Sequence, residues 1–122
     1  MAAAKKYGCH AVGIDIDPRR VAEAEANVKK NRIENLVRIE RADFRKVDLR
    51  QATVAMLYLS TKLNSELLPQ LKAMKPGSRI VSHEFGIQWL EPDRVLRVES
   101  SEDHRRHYLS LWILKDDRQS VR

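Results

Sequence analysis

The sequence predicts a three-layer α/β domain: a mostly parallel sheet flanked by helices and closed by a C-terminal antiparallel hairpin. Three observations predict it. Apolar runs that end in a carboxylate or a turn alternate with segments of helical periodicity, the order that builds parallel strands through right-handed crossovers. The run Thr53–Leu59 is apolar throughout, as a strand covered on both faces should be. Later, Arg94–Glu99 and His107–Leu114 alternate apolar and polar residues around the polar Ser100-Ser101-Glu102-Asp103, which reads as an antiparallel hairpin.

Residues 2–7 read as the end of a helix, stopped by Gly8 just past its last turn. A buried strand follows at residues 10–15. Asp17 is a good N-cap, and Pro18 suits a first helical position, where its missing N–H would be unpaired anyway. The helix runs over 18–31, with Val21, Ala24 and Val28 on its apolar face. Residues 36–42 alternate as a half-buried strand and end at Asp43. Phe44–Gln51 is a polar crossover with a single helical turn. After the 53–59 strand, Ser60 or Thr61 caps a helix over 61–74 that buries Leu63, Leu67, Leu68 and Leu71. Lys75-Pro76-Gly77 stops that helix, and residues 79–83 form the fourth strand, parallel to the other three. Residues 1–115 thus make one domain, and 116–122 a frayed tail.

Composition narrows the function classes. The chain has 122 residues, 43% hydrophobic and 33% charged, as an ordinary globular domain has. No apolar run approaches the roughly 20 residues that cross a bilayer, so no membrane association is expected. The N-terminus lacks the apolar core of a secretory signal. The single cysteine, Cys9, excludes an internal disulfide framework and fits a reducing cytoplasm. A net charge of +6 raises nucleic acid as a partner, but the basic residues are dispersed and no aromatic residues are interleaved with them.

Chemistry concentrates at strand ends. In open α/β sheets ligands bind outside the carboxyl ends of the strands, and Asp15 stands at such an end. Its carboxylate can accept two hydrogen bonds from a ribose; it can equally cap the following helix or hold a surface lysine.

Four landmarks in order resemble the class I S-adenosylmethionine-dependent methyltransferases from their second strand onward. Gly13-Ile14-Asp15 is similar to the strand whose acid binds the adenosine ribose, and Ile16 would then lie against the adenine. Ala42-Asp43-Phe44 resembles the next strand end, whose acid accepts from the adenine amino group. Val54–Leu59 matches the strand after which substrate is held, and Lys75-Pro76-Gly77-Ser78-Arg79-Ile80-Val81 the entry into the following one. Leu57-Tyr58-Leu59 with Asn64, and Pro76–Phe85, most resemble the small group of lysine methyltransferases that includes the enzyme acting on the ATP synthase c subunit. The resemblance implies a Rossmann-like sheet, S-adenosylmethionine as cofactor, Asp15, Ile16, Asp43 and Phe44 as its contacts, and a protein lysine amine as acceptor.

One landmark is missing. In comparable nucleotide folds the ribose acid lies about 20 residues beyond a glycine-rich loop, whereas Gly8 is the sole glycine ahead of Gly13 and Asp15. The family's first strand and its loop are therefore expected to be absent, which would leave a gap between the Asp15 and Val54 strands. Three resolutions are open: the two strands pair directly, another chain supplies the strand as in a homo-oligomer, or the sequence is a piece of a longer protein. On this reading the chain alone, as a monomer, binds the cofactor weakly or not at all.

For methyl transfer to an amine, Tyr58 and Asn64 could orient the nitrogen, and His83 and Glu84 could reach the same rim. The alternatives are that Tyr58 packs in the core, Asn64 lies on a helix surface, and His83-Glu84 bonds to a neighbouring loop. Trp89 and Trp112 read as packing residues. No metal site is expected, since His104 and His107 do not converge in a turn-then-strand and Cys9 and His10 point to opposite faces. Ser82 and His83, adjacent on a strand, face apart and form no nucleophilic pair. Two classes of function remain: a methyltransferase acting on protein lysine, or a catalytically inactive methyltransferase-like module used for binding or assembly. Nucleic-acid binding or methylation is the third, weaker reading.

Overall fold

The computed structural model describes residues 6–88, 90–101 and 103–115. The chain divides into two compact units, one ending at Val47 and the other starting at Asp48.

The first unit is a strand–helix–strand crossover. Lys6 and Tyr7 end a helical turn, and Gly8 takes the left-handed conformation (φ 69°) that stops it. Strand β1 (Ala11–Asp15) leads into helix α1 (Pro18–Lys30), with the Asp17 carboxylate accepting from the Arg19 N–H as N-cap. Strand β2 (Val37–Arg41) returns parallel to β1, Ala11 opposite Val37 and Asp15 opposite Arg41. Val28, Ile33 and Val37 form the core, with Ala11, Leu36 and Ile39 packed against them. Asp43 caps a short 3₁₀ turn, Phe44–Lys46.

The second unit is a four-stranded sheet. Strand β3 (Val54–Leu57) lies parallel to β4 (Arg79–His83). Strand β6 (Arg106–Ile113) pairs antiparallel with both β4 and β5 (Arg94–Glu99), giving the order β3-β4-β6-β5. The expected hairpin is therefore present, and it docks on the fourth strand.

The structure departs from expectation at three places. The four strands expected to be mutually parallel do not share one sheet: β1 pairs with β2 and β3 with β4, and no ladder among the described residues joins β1 to β3. No described segment supplies the strand that would stand between them. The 61–74 helix is broken into α2 (Thr61–Glu66) and α3 (Leu68–Lys72). Pro69 has no N–H to give the Ser65 carbonyl, and its ring crowds that oxygen, so the helix breaks at Leu67. Leu67, Leu71 and Met74 are nonetheless buried as the periodicity requires. Finally, among the described residues of the second unit, β3 is covered on one face only. Ala55 and Leu57 are buried, while Val54 and Met56 are exposed and Val54 lines an apolar cleft with Val81, Leu96, Leu109 and Leu111.

Trp112 is core, 3% exposed, and donates its indole N–H to the Leu90 carbonyl. Trp89, residues 1–5 and the 116–122 tail lie outside the described residues. No helix among the described residues is long and apolar enough to cross a membrane.

Candidate functional site

In the first unit, Asp15 and Asp43 stand at the carboxyl ends of neighbouring parallel strands. Asp15 Oδ1 accepts the Asp17 N–H at 2.9 Å, closing the turn that starts the helix, and Oδ2 lies 3.8 Å from the Arg20 guanidinium. Helix capping thus falls to Asp17, and Asp15 keeps a carboxylate oxygen toward partly accessible space. Ile16 beside it is 62% exposed, an apolar side chain held in solvent at a strand end. A strand-end acid whose Oδ2 pairs only loosely with Arg20, at 3.8 Å, beside an uncovered isoleucine has the chemistry to receive the ribose and adenine of a nucleoside.

Asp43 is more committed than its strand-end position suggests. Its Oδ1 accepts the backbone N–H and the Nε–H of Arg45, and Oδ2 accepts from Nη2 at 3.2 Å. These Arg45 bonds hold the carboxyl below the usual aspartate range. Phe44 is half-buried, with the Arg45 guanidinium 5.8 Å from its ring.

In the second unit, the carboxyl ends of β3 and β4 and the start of β6 form a rim. Tyr58, His83, Glu84, Asp103, Arg105, Arg106 and His107 line an open cleft of about 390 Å³ there. Tyr58 is not core: it is 79% exposed, and its ring stacks on His83 at 4.5 Å and 12° between planes. His83 Nε2 lies 2.7 Å from His107 Nδ1, and the other nitrogen of His107 meets the Asp103 carboxylate at 3.1 Å. The Arg105 backbone N–H and the His107 ring lower the Asp103 pKa.

Glu84 sits on a strained backbone. Its φ is 67°, and the Phe85 N–H bonds back to the His83 carbonyl at 2.8 Å. That is a classical γ-turn, rare for a residue with a side chain. The turn ends β4 and sends the carboxylate across to the β6 backbone, where Oε1 accepts the Tyr108 N–H.

Asn64 is not on this rim. It is fully buried, and its Nδ2 donates toward Ser82 Oγ, the Phe85 carbonyl and the Gly86 carbonyl at 3.1–3.2 Å. A side chain so enclosed orients no substrate; it fastens helix α2 to the segment leaving β4. Ser82 is equally buried and donates to the Phe85 carbonyl at 2.6 Å, facing away from His83 as expected.

Sequence reasoning missed Asp103, Arg105, Arg106 and His107. The expectation of no metal site weighs His107 only against His104, but the ladder puts Leu109 opposite His83, so His107 lies one same-face step further, beside Glu84. Among the described residues, His83, Glu84 and His107 are brought together as a set that could ligate a metal ion.

The architecture is that of class I S-adenosylmethionine-dependent methyltransferases. Residues 1–94 match the family model of the ANTKMT methyltransferase domain, and the chain belongs to that family, whose cofactor is S-adenosylmethionine. It is 40% identical over 109 residues to a protein-lysine N-methyltransferase of Saccharolobus islandicus (strain REY15A), covering 88% of this chain and 68% of that protein. An uncharacterized protein of Haemophilus influenzae is 26% identical over 90 residues; there the chain spans 36% of the protein. Among solved structures, an RNA methyltransferase from Salinibacter ruber in complex with S-adenosyl-L-homocysteine superposes with a TM-score of 0.84 at 33% identity. The match covers 94% of this chain and 72% of that one. The Pyrococcus abyssi tRNA (uracil-54, C5)-methyltransferase, at 17% identity and a TM-score of 0.69, shares the fold.

Proposed function

We propose that this chain works as a methyltransferase on a protein lysine amine in the cytoplasm, with the first unit contributing the adenosine contacts and the second the acceptor contacts. The observation that carries the reading is the 40% identity, over most of the chain, with a protein-lysine N-methyltransferase. When bound, S-adenosylmethionine supplies a methyl carbon for in-line displacement, a reaction accelerated chiefly by positioning and desolvation.

The chain's own residues divide that work. Asp15 accepts from the ribose hydroxyls, Ile16 covers one adenine face, and Asp43 with Phe44 borders the adenine edge. On the rim, the exposed Tyr58 ring is a face on which an ammonium and its apolar stem can rest. The His83 stack fixes that ring, and the Glu84 carboxylate adds negative charge beside it.

A second reading has its own support. Arg105 and Arg106 line the same cleft, and the Salinibacter relative at 33% identity is an RNA methyltransferase. One experiment separates them: purified chain, S-adenosylmethionine labelled in its methyl group, and a cell extract of the source divided into protein and RNA fractions. Label in protein, recovered as methylated lysine after hydrolysis, supports the proposal. Label in a ribonuclease-sensitive fraction replaces it with the second reading. Absence of label, with cofactor binding intact, favours the non-catalytic module.

A further inference from the structure

From the geometry of the rim we infer a divalent transition-metal site, of zinc type, built from His83 Nε2, Glu84 Oε1 and His107 Nδ1. These three atoms form a triangle with sides of 2.7, 3.6 and 3.7 Å. The point equidistant from such corners lies about 2.0 Å from each, and zinc bonds imidazole nitrogen and carboxylate oxygen at roughly 2.0–2.2 Å. A cation placed just above that plane satisfies all three donors. The two nitrogens then need to part by only about half an ångström to reach tetrahedral spacing.

The surroundings prepare the donors. Asp103 accepts from His107 Nε2, which puts the proton on that nitrogen and leaves the Nδ1 lone pair facing His83 and Glu84. A carboxylate behind a histidine is the usual outer support of a metal ligand, setting its tautomer and raising its basicity. With Nδ1 of His107 an acceptor, the 2.7 Å contact without metal requires a proton on His83 Nε2. The cation takes the place of that shared proton, and His83 carries its hydrogen on Nδ1 instead. The strained γ-turn at Glu84 has a purpose on this reading, because it brings a residue adjacent to His83 onto the same side of the ladder.

Two imidazoles and one carboxylate suit zinc and its neighbours in the first transition row, not magnesium or calcium, which prefer all-oxygen shells. Three protein ligands leave the fourth position to water, facing the cleft beside Tyr58, Arg105 and Arg106. The ion would clamp the end of β4 to the start of β6.

The test reads metal and not methyl transfer, so its outcome is separate from that of the proposed function. Zn²⁺ alone is titrated calorimetrically into the metal-free full chain, and Co²⁺ is added in parallel for its absorption spectrum. One equivalent should bind, raise the unfolding temperature, and give Co²⁺ the intense visible bands of a four-coordinate ion. His83→Ala and His107→Ala should each weaken Zn²⁺ at least a hundredfold, and Asp103→Asn about ten- to a hundredfold. Cys9→Ser, at an exposed thiol of the first unit, should change nothing. Absence of saturable binding, or affinity unchanged in the His83→Ala/His107→Ala double variant, overturns the inference. If the alanine variants do not fold, the Co²⁺ spectrum of the unaltered chain decides, and the weak bands of a six-coordinate aqueous ion overturn it.

Discussion

Replacing Asn64 by aspartate should destabilise the second unit more than replacing it by alanine, although aspartate keeps the shape. The amide nitrogen of the fully buried Asn64 faces three oxygens, on Ser82, Phe85 and Gly86. In Asn64→Ala the Phe85 carbonyl keeps the Ser82 hydroxyl, so the Gly86 carbonyl is the group that loses its only described donor. Gly86 is only half-buried, so the loss of that donor costs at most the penalty of a buried carbonyl, about 1–3 kcal/mol. Against that, alanine removes Oδ1, the one buried side-chain nitrogen or oxygen among the described residues without a hydrogen-bond partner. The net loss should be about 1–2 kcal/mol. In Asn64→Asp an acceptor replaces the donor, and an uncompensated charge enters a buried site, for roughly 3–5 kcal/mol. That is a large share of the 5–15 kcal/mol typical of a domain. Burial raises the pKa of that new carboxyl, and the protonated form regains one donor, so the deficit should shrink as pH falls toward about 4. Urea unfolding followed by tryptophan fluorescence measures it, since both tryptophans, Trp89 and Trp112, belong to the second unit. Equal stability of the two variants at neutral pH would refute the assigned donor direction. A loss of turnover at unchanged stability in Asn64→Ala would restore a substrate-orienting role.

Two further outcomes are expected. Asp15→Ala should lower affinity for S-adenosylhomocysteine at least tenfold by calorimetry, since a hydrogen bond to a charged group contributes about 1.5–3 kcal/mol; unchanged affinity would put the adenosine elsewhere. The Asp48 carboxyl should titrate at about 2 by NMR, because the Arg50 side chain and then its backbone N–H bond to it. Its pKa is depressed, so the associated stability is present above the ordinary value of 3.8 and fades as pH falls through about 2; Arg50→Ala should return the titration to the ordinary range.

Local signals in the chain were strong wherever one residue type had one job. Asp17-Pro18 marked a helix start, Gly8 and Gly77 left-handed stops, and Ser60 a cap that accepts the Leu63 N–H. The alternation at 94–99 and after residue 106 marked the hairpin. Errors came where two principles competed. Leucine spacing argued for a continuous helix over 61–74, and Pro69 broke it without disturbing which leucines are buried. An unbroken apolar run argued for a doubly covered strand, yet hydrophobicity reports what a strand tolerates and not what lies against it, and Met56 is 78% exposed.

The rim shows why strand-end chemistry is only half legible in one dimension. Tyr58, His83 and Glu84 could be found because parallel strands put consecutive carboxyl ends on one edge. His107 could not be found by spacing, because its neighbours are set by an antiparallel register. That register follows from Trp112 entering the core opposite Ile80, which slides β6 until Leu109 meets His83 and His107 passes the strand end. A core tryptophan thus determines where an imidazole five residues earlier on the same strand comes to rest. Shifting that register by one residue would turn every β6 side chain to the other face, burying His107 and exposing Trp112. The packing that stabilises the second unit and the chemistry at its rim are consequently one constraint, and a substitution at Trp112 that loosens the register should disperse the His83–Glu84–His107 cluster without touching it.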